Sequence, residues 1–210
     1  VDGNWRLSAH TSFSYELFSW LSLNSNMNYT HTQSYNMIGE NALTPSKFSM
    51  QTDIYNPELG LQAKLGGKVT LDWSSSVKWQ DSHSANKQHI SANYTAQQHK
   101  LQGNFRLAKG WSVNTSISLY NRSGCDDPRM NRTEWIWNGH VTKSMLGGRL
   151  LCSLTAYDLL HQIQTVNYRV TPDARVETFT NSIPRYVLLH MQYKLNIKPK
   201  KKLAETERYY

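Results

Sequence analysis

The chain has 210 residues, of which 39% are hydrophobic and only 18% are charged, a composition that fits one β domain. No run of about 18 apolar residues is present, which excludes a transmembrane helix. The net charge of +8 comes from scattered residues and a lysine-rich tail, whereas nucleic-acid-binding proteins concentrate such residues on one face. We therefore expect no nucleic acid among the partners. Cys125 and Cys152 are too few for a disulfide framework and are expected to be unpaired.

Nine segments alternate between apolar and polar side chains, which predicts strands with one dry and one wet face. Each is at least as long as the roughly 9–11 residues of a tilted, bilayer-spanning strand. The predicted strands run over about residues 5–16, 20–31, 48–65, 68–80, 88–107, 111–122, 134–146, 149–160 and 185–197.

Two of these strands change phase along their length. The apolar positions change from even to odd numbers at Asn56-Pro57 in the third strand and near 97–100 in the fifth. A proline cannot donate to a β ladder, and one extra residue in a strand shifts its pattern by one. The sequence therefore predicts a bulge or bend at Pro57 and a second bulge near 97–100.

Short turns alternate with long connections along the chain. This alternation is typical of transmembrane β-barrels, with the short turns at the periplasmic end. The short turns are 16–19, 66–67, 109–110 and 147–148, and the long connections are 34–47, 81–87, 123–133 and 161–184. The sequence thus predicts an all-β, antiparallel, up-and-down transmembrane β-barrel segment of about nine strands.

The odd number of strands favours part of a larger barrel, because bacterial single-chain barrels have even numbers of strands. In this interpretation, residues 1–197 form the C-terminal portion of the barrel and residues 198–210 form a basic periplasmic tail. The first residue is valine rather than methionine, and we expect the chain to be a fragment of a longer protein.

Aromatic residues gather near both ends of the predicted strands, as in the interfacial girdles of membrane barrels. The group near the short turns comprises Tyr15, Trp20, Phe105, Trp111 and Tyr193. The group near the long connections comprises Trp5, Tyr29, Trp79, Tyr120, Trp135 and Tyr186.

Alternation also assigns side chains to the two faces of the predicted barrel. The candidates for the lumen are Arg6, His10, Lys68, Asp72, Lys78, Arg106, Arg122 and Lys194. The candidates for contact with lipid are Leu71, Trp73, Val113, Ile117, Leu189, Met191 and Tyr193. Since most of the lumen set is basic, such a lumen would favour anionic solutes.

The last quarter of the chain carries a recognisable motif. A predicted strand ends in Tyr157-Asp158-Leu159-Leu160-His161-Gln162, and Arg185-Tyr186 opens the final strand after a loop. This arrangement, over about 50 residues, resembles the C-terminal end of the outer-membrane β-barrel family of Bacteroidetes, which are relatives of TonB-dependent receptors. His161 stands where that family usually has asparagine, which puts a side-chain amide cap there in doubt.

The resemblance implies the C-terminal portion of a barrel of about 22 strands that surrounds an N-terminal plug. It implies uptake of a ligand across the bacterial outer membrane, without enzymatic activity and without a cofactor. The implied partners are outer-membrane lipid, the remaining strands and plug of the full-length chain, TonB and a surface lipoprotein.

Candidates for catalysis or metal binding are weak. Asp158 and His161 are three residues apart, so they point to opposite faces of a strand unless the strand has ended. Cys125-Asp126-Asp127 lacks a second cluster at the spacing of metal ligands. We therefore assign no catalytic, cofactor or metal residue from the sequence.

Two other functions remain open. The first is an outer-membrane barrel whose loops bind a partner without transport. The second is a soluble β-barrel that binds a small apolar ligand, in which the dry face would point inward.

Overall fold

The computed structural model describes most of the chain, namely residues 3–38, 46–84, 93–163, 166–170, 175–179, 183 and 185–195. Its main feature is one nine-stranded sheet that does not close on itself. The strands of this sheet are β1 (Trp5–Phe18), β2 (Leu21–Ile38), β3 (Ser46–Leu65), β4 (Val69–Ser84), β5 (Tyr94–Arg106), β6 (Trp111–Ser123), β7 (Arg132–Met145), β8 (Leu150–Tyr157) and β11 (Tyr186–Tyr193).

Each strand pairs antiparallel with its neighbour in the sheet order β1-β2-β3-β4-β5-β6-β7-β8-β11. The all-β, up-and-down prediction is thus confirmed. Consecutive antiparallel strands also place all the short turns at one end of the sheet, as predicted. Three-residue 3₁₀ turns lie at Ala108–Gly110 and Leu146–Gly148 at that end, and another lies at Pro128–Met130 at the opposite end.

The long connection between β8 and β11 contains structure that the sequence did not predict. Its residues include a separate two-stranded sheet of β9 (Val166–Val170) and β10 (Arg175–Phe179). The final strand is shorter than predicted, since β11 ends at Tyr193. Several other strands are longer, because β2 continues to Ile38 and β4 to Ser84.

Glycines allow the short turns to reverse the chain tightly. Gly66 and Gly67 both have positive φ values, of 58° and 67°, which glycine adopts without steric cost. Gly110 has a φ of 77° and lies against the next turn region, where an added Cβ would come within 2.7 Å of the Ser144 carbonyl oxygen. Neighbouring hairpins therefore pack closely at this end of the sheet.

The prediction of a bulge is wrong both at Pro57 and near 97–100, although the ladder between β3 and β4 has no pair at Asn56 and Pro57. β3 pairs with β2 without a register shift from Ala63 to Ser46, and β5 pairs without a shift along both of its neighbours. A register shift does interrupt β1, between Glu16 and Phe18. The phase changes in the sequence therefore need another explanation.

Both phase changes occur at one level of the sheet. Pro57 lies in register with Met27 of β2, and Val77 lies opposite Gln97 of β5. The constant register of β3 against β4 brings Pro57 and Val77 to the same level. About nine residues separate this level from the short turn at the end of β3, close to the length of strand that crosses a bilayer.

Beyond this level, apolar and polar positions change faces within β3 and β5, whereas Lys78 of β4 and Arg122 of β6 remain on the face that carries Asp72. The face that carries Leu59 and Leu61 continues with Asp53 and Gln51, whereas Met50 on the opposite face is only 4% exposed. Since the backbone register is constant, the phase change in these two strands reflects the placement of their apolar side chains and not an inserted residue. In the sequence, a switch of apolar residues from one face to the other gives the same change of alternation as a bulge.

Exposure within the sheet is the reverse of that in a water-soluble sheet, which buries its apolar side. Large apolar side chains are exposed on one face, including Trp79 at 47%, Leu101 at 48% and Met191 at 63%. The opposite face buries polar side chains such as Glu134 and Ser153, at 5% and 6% exposure. We call these the apolar face and the polar face.

Both cysteines are free, as predicted. Cys125 lies in the connection between β6 and β7, and Cys152 lies in β8 opposite Met191. Within the described ranges, none of the helical segments is long and apolar enough to cross a membrane.

Candidate functional site

The structure separates the two predicted sets of side chains onto opposite faces. Residues that pair across antiparallel strands point to the same side, and the register therefore assigns each strand residue to a face. The lipid candidates on the apolar face are Leu71, Trp73, Val113, Ile117, Leu189, Met191 and Tyr193. The lumen candidates in or beside strands of the polar face are Arg6, His10, Lys68, Asp72, Lys78, Arg106 and Arg122, while Lys194 directly follows β11.

Hydrogen bonds between side chains cross the strands of the polar face. His10 Nδ1 lies 2.6 Å from Asn28 Oδ1, and Gln62 Nε2 donates to Asp72 at 2.7 Å. His140 lies 2.7 Å from Thr155 Oγ1 and 2.8 Å from Thr142 Oγ1. These bonds satisfy polar groups that lie between neighbouring strands, and they fix amide and imidazole groups along the wall.

A cavity of about 540 Å³ lies against the polar face near the short turns. Its wall combines Lys68 and Arg106 with Asp72 and His140. Positive and negative groups are therefore mixed in this lower cavity. Its volume lies within the roughly 300–1,000 Å³ of small-molecule pockets.

A second cavity, of about 470 Å³, lies at the other end of the polar face. Arg6, His10 and Lys78 contribute basic side chains to this upper cavity, and Asn28 and Asn56 contribute amides. The sequence predicted the three basic residues for the polar face, but their meeting in one cavity follows from the register. In contrast to the lower cavity, no carboxylate is among the described residues that line it.

Beside the upper cavity, basic side chains stack on two tyrosines. Lys78 Nζ donates to the Tyr94 hydroxyl at 2.8 Å and lies 5.3 Å from the ring centroid. The guanidinium of Arg122 lies 5.1 Å from the Tyr94 centroid, and that of Arg132 lies 4.6 Å from the Tyr120 centroid. Such contacts hold cations in place over the ring faces.

This cluster shows where the predicted aromatic girdle fails. Tyr120 and Tyr186 lie on the polar face, because Tyr120 pairs with Glu134 and Tyr186 pairs with Tyr157. They therefore do not belong to a girdle on the apolar face, contrary to the prediction. The apolar face carries Tyr55 instead, whose ring centroid lies 4.8 Å from that of Tyr29.

The apolar face becomes polar beyond its aromatic residues. Tyr29 Oη donates to Asp53 Oδ1 at 2.7 Å, and His31 Nδ1 lies 2.8 Å from the same oxygen. The ring of Trp5 stacks on His31 with centroids 4.7 Å apart. The sequence did not indicate this cluster, because its members belong to three strands. Among the described residues, no group of three or more His, Cys, Asp or Glu is arranged to hold a metal ion.

Asp158 has a structural role in the end of β8. Its side chain is fully buried, and its carboxylate accepts hydrogen bonds from the backbone N–H groups of Gln162 and Ile163 at 3.2 and 3.0 Å. Gln162 in turn accepts from the backbone N–H of Trp135 at 2.9 Å. The motif therefore closes the loop after β8 and ties it to β7.

His161 adopts a left-handed backbone conformation, with a φ of 55°. Asparagine tolerates this conformation better than most residues. We expect His161→Asn to raise the free energy of unfolding by a few tenths to about 1 kcal/mol. Chemical denaturation of both variants would measure this, and a loss of stability would instead assign a role to the imidazole.

The connection between β6 and β7 is also held by its own side chains. Asp127 accepts from the backbone N–H of Arg129 at 2.9 Å and forms an ion pair with the Arg129 guanidinium. Partial burial raises the pKa of the nearby Cys125 thiol, and the carboxylates of Asp126 and Asp127 add to this shift. A raised pKa keeps a thiol protonated and therefore weakly reactive.

Comparison of the chain with protein-family models, with curated proteins and with solved structures found no match.

Proposed function

We propose that the chain is the C-terminal barrel segment of an outer-membrane receptor or transporter of TonB-dependent type, which takes up a ligand across the outer membrane. The observation that best supports the membrane part is the exposed apolar face. A central apolar row crosses five strands there in direct register, formed by Leu61, Trp73, Leu101, Ile117 and Trp137. A continuous apolar surface of this kind needs either a protein partner or lipid to cover it.

The position of the cavities favours lipid, and not the interior of a soluble barrel, as the environment of the apolar face. Both the lower and the upper cavity lie against the polar face, as expected for a sheet that curves around its polar side. In a soluble barrel that encloses an apolar ligand, the dry side chains point inward. An apolar exterior around a polar interior is the arrangement of a transmembrane barrel.

The two ends of the sheet support a barrel of more strands. Within the described ranges, β1 and β11 each pair with one strand only. Open sheet edges do not occur in the hydrocarbon of a bilayer, because their N–H and C=O groups find no partners there. Further strands would pair with these edges and close the barrel.

Transport itself rests on the resemblance of the segment from Tyr157 to Gln162 and of the final strand. The alternative is a barrel that binds a partner through its loops without transport. A plug sequence upstream in the full-length gene would favour transport, as would uptake of a ligand into vesicles by the purified full-length protein.

Cysteine labelling tests the membrane part directly. In a full-length background with Cys125→Ser and Cys152→Ala, single cysteines are placed at 71, 113 and 191 or at the adjacent positions 72, 114 and 192. Since Cys152 pairs with Met191 on the apolar face, its removal is necessary. We expect a lipid-dissolved probe to label 71, 113 and 191, and a water-soluble probe to label 72, 114 and 192.

Protection of positions 71, 113 and 191 from both probes would place them in a closed protein core. That result would contradict the membrane assignment. Labelling of both sets by the water-soluble probe alone would do the same, because it would place the apolar face in water.

A further inference from the structure

One row of the polar face brings several of its basic side chains to the same level. Directly paired residues bring Lys78, Ala96, Arg122 and Arg132 side by side on β4 to β7. On the other side of Lys78, His10 pairs with Asn28 and Asn28 with Asn56. The strands carry these residues at one level, so the basic groups form a belt across the wall and not a scatter of separate charges.

The two halves of this belt differ in charge balance. Arg132 lies 3.5 Å from the buried carboxylate of Glu134 and is thereby paired. Glu58 lies on the polar face next to Asn56, one level beneath the belt. Its side chain is exposed and does not line the upper cavity. The upper cavity itself combines Arg6, His10 and Lys78 without a carboxylate among its described lining residues. A surplus of positive charge therefore remains there.

The donors of the upper cavity are already positioned. Arg6 Nε lies 3.3 Å from Ser8 Oγ, and His10 is held by Asn28. Lys78 is anchored on Tyr94 through one hydrogen bond, whereas an ammonium has three donors. Groups held in this way lose little conformational entropy when a ligand binds.

We propose that the upper cavity binds the oxyanion of a small organic solute, a carboxylate or a phosphate. Arg6 and Lys78 neutralise its charge, and the Asn28 and Asn56 amides hydrogen-bond its other polar groups. The inference deepens the proposed function and rests on it only in placing the polar face in a water-filled lumen. Because the belt lies level with Tyr29 and Trp79, at the end of the apolar face, the site is near the loop side of the wall.

Titration calorimetry on the full-length protein in detergent micelles tests this site, with citrate and inorganic phosphate as probes. We expect saturable binding, and the preferred probe distinguishes a carboxylate site from a phosphate site. Lys78→Gln and Arg6→Gln should each weaken binding by about tenfold or more, because each removes a charged hydrogen-bond donor. Lys78→Arg should retain binding. The matched control is Lys100→Gln, which removes the same charge from the polar face outside both cavities.

Absence of binding of both probes at millimolar concentration, by protein whose circular dichroism shows a folded barrel, would overturn the proposal. An equal loss of affinity in Lys100→Gln and Lys78→Gln would also overturn it, because diffuse attraction would then explain binding. Should Lys78→Gln fail to fold, Arg6→Gln carries the comparison with Lys100→Gln. Binding without vesicle uptake would count against transport alone and leave the anion site intact.

Discussion

Arginine at the centre of the apolar face is expected to prevent the full-length protein from folding into a bilayer. Leu101 and Ile117 lie opposite each other in the central apolar row, and Leu101 is 48% exposed. A lipid-facing arginine near the midplane costs about 2–4 kcal/mol, because hydrocarbon does not solvate the guanidinium. Leu101→Arg and Ile117→Arg should each lower the free energy of unfolding in lipid vesicles by this amount, and the double variant should lower it further.

The neighbouring positions on the polar face supply the controls. Gln102→Arg and Ser116→Arg place the same group on strands β5 and β6 one residue away, where Gln102 and Ser116 pair with each other. These variants should fold in vesicles with a loss of less than about 1 kcal/mol. Equal losses on both faces would show that the wall is packed on both sides and would contradict contact with lipid.

Loss of the Asp158 carboxylate is expected to have the largest effect outside the apolar face. The carboxylate is fully buried and accepts two backbone hydrogen bonds, each worth about 1.5–3 kcal/mol for a charged acceptor. Asp158 also has a φ of 46°, which alanine adopts at a cost. Asp158→Ala should therefore reduce the free energy of unfolding by roughly 3 kcal/mol or more, and should expose the connection between β8 and β11 to proteases.

Asp158→Asn separates the two contributions. Asparagine retains an acceptor and tolerates the left-handed conformation. Asp158→Asn should therefore reduce the free energy of unfolding by less than Asp158→Ala. Asp126→Ala, in the exposed connection between β6 and β7, provides a control for removal of an acidic side chain. Equal denaturation midpoints for Asp158→Ala and Asp126→Ala would show that the loop closes without the carboxylate.

Strand order and face assignment could be predicted because they depend on one simple period. Leu71 and Asp72 point to opposite sides of any regular strand, and each side carries one kind of side chain over most of its length. The hairpin at Gly66-Gly67 could also be predicted from the sequence, since the backbone conformation of the turn favours glycine. These features are local, and the residues that carry them are adjacent in the chain.

The misassigned features depend on contacts between distant segments. At Pro57 the sequence shows a change of phase, but a bulge and a switch of apolar side chains to the other face at constant register produce the same pattern. Only the register across β3 to β5 distinguishes them. The position of Tyr120 near a strand end predicts a girdle residue. However, Tyr120 is separated by two residues from Ser118 and from Arg122, and therefore shares their polar face. The sequence does not predict the role of Asp158, because its hydrogen-bond partners are backbone N–H groups, which every residue except proline carries.

In the proposed membrane barrel, the polar cluster around Asp53 beyond the apolar face would set the depth of the protein in the bilayer. Sliding the sheet deeper by one pair of residues would carry Asp53 and its hydrogen-bonded neighbours toward hydrocarbon, and sliding it outward would bring Leu59 and Leu61 into water. Both displacements would cost free energy, so a sheet in that arrangement would have one preferred vertical position. Because β-sheet walls cannot stretch, a thicker or thinner membrane would have to deform around the protein. In the proposed arrangement, lipid at the surface of the protein would therefore thin or thicken locally wherever the bilayer thickness differs from the height of the apolar face.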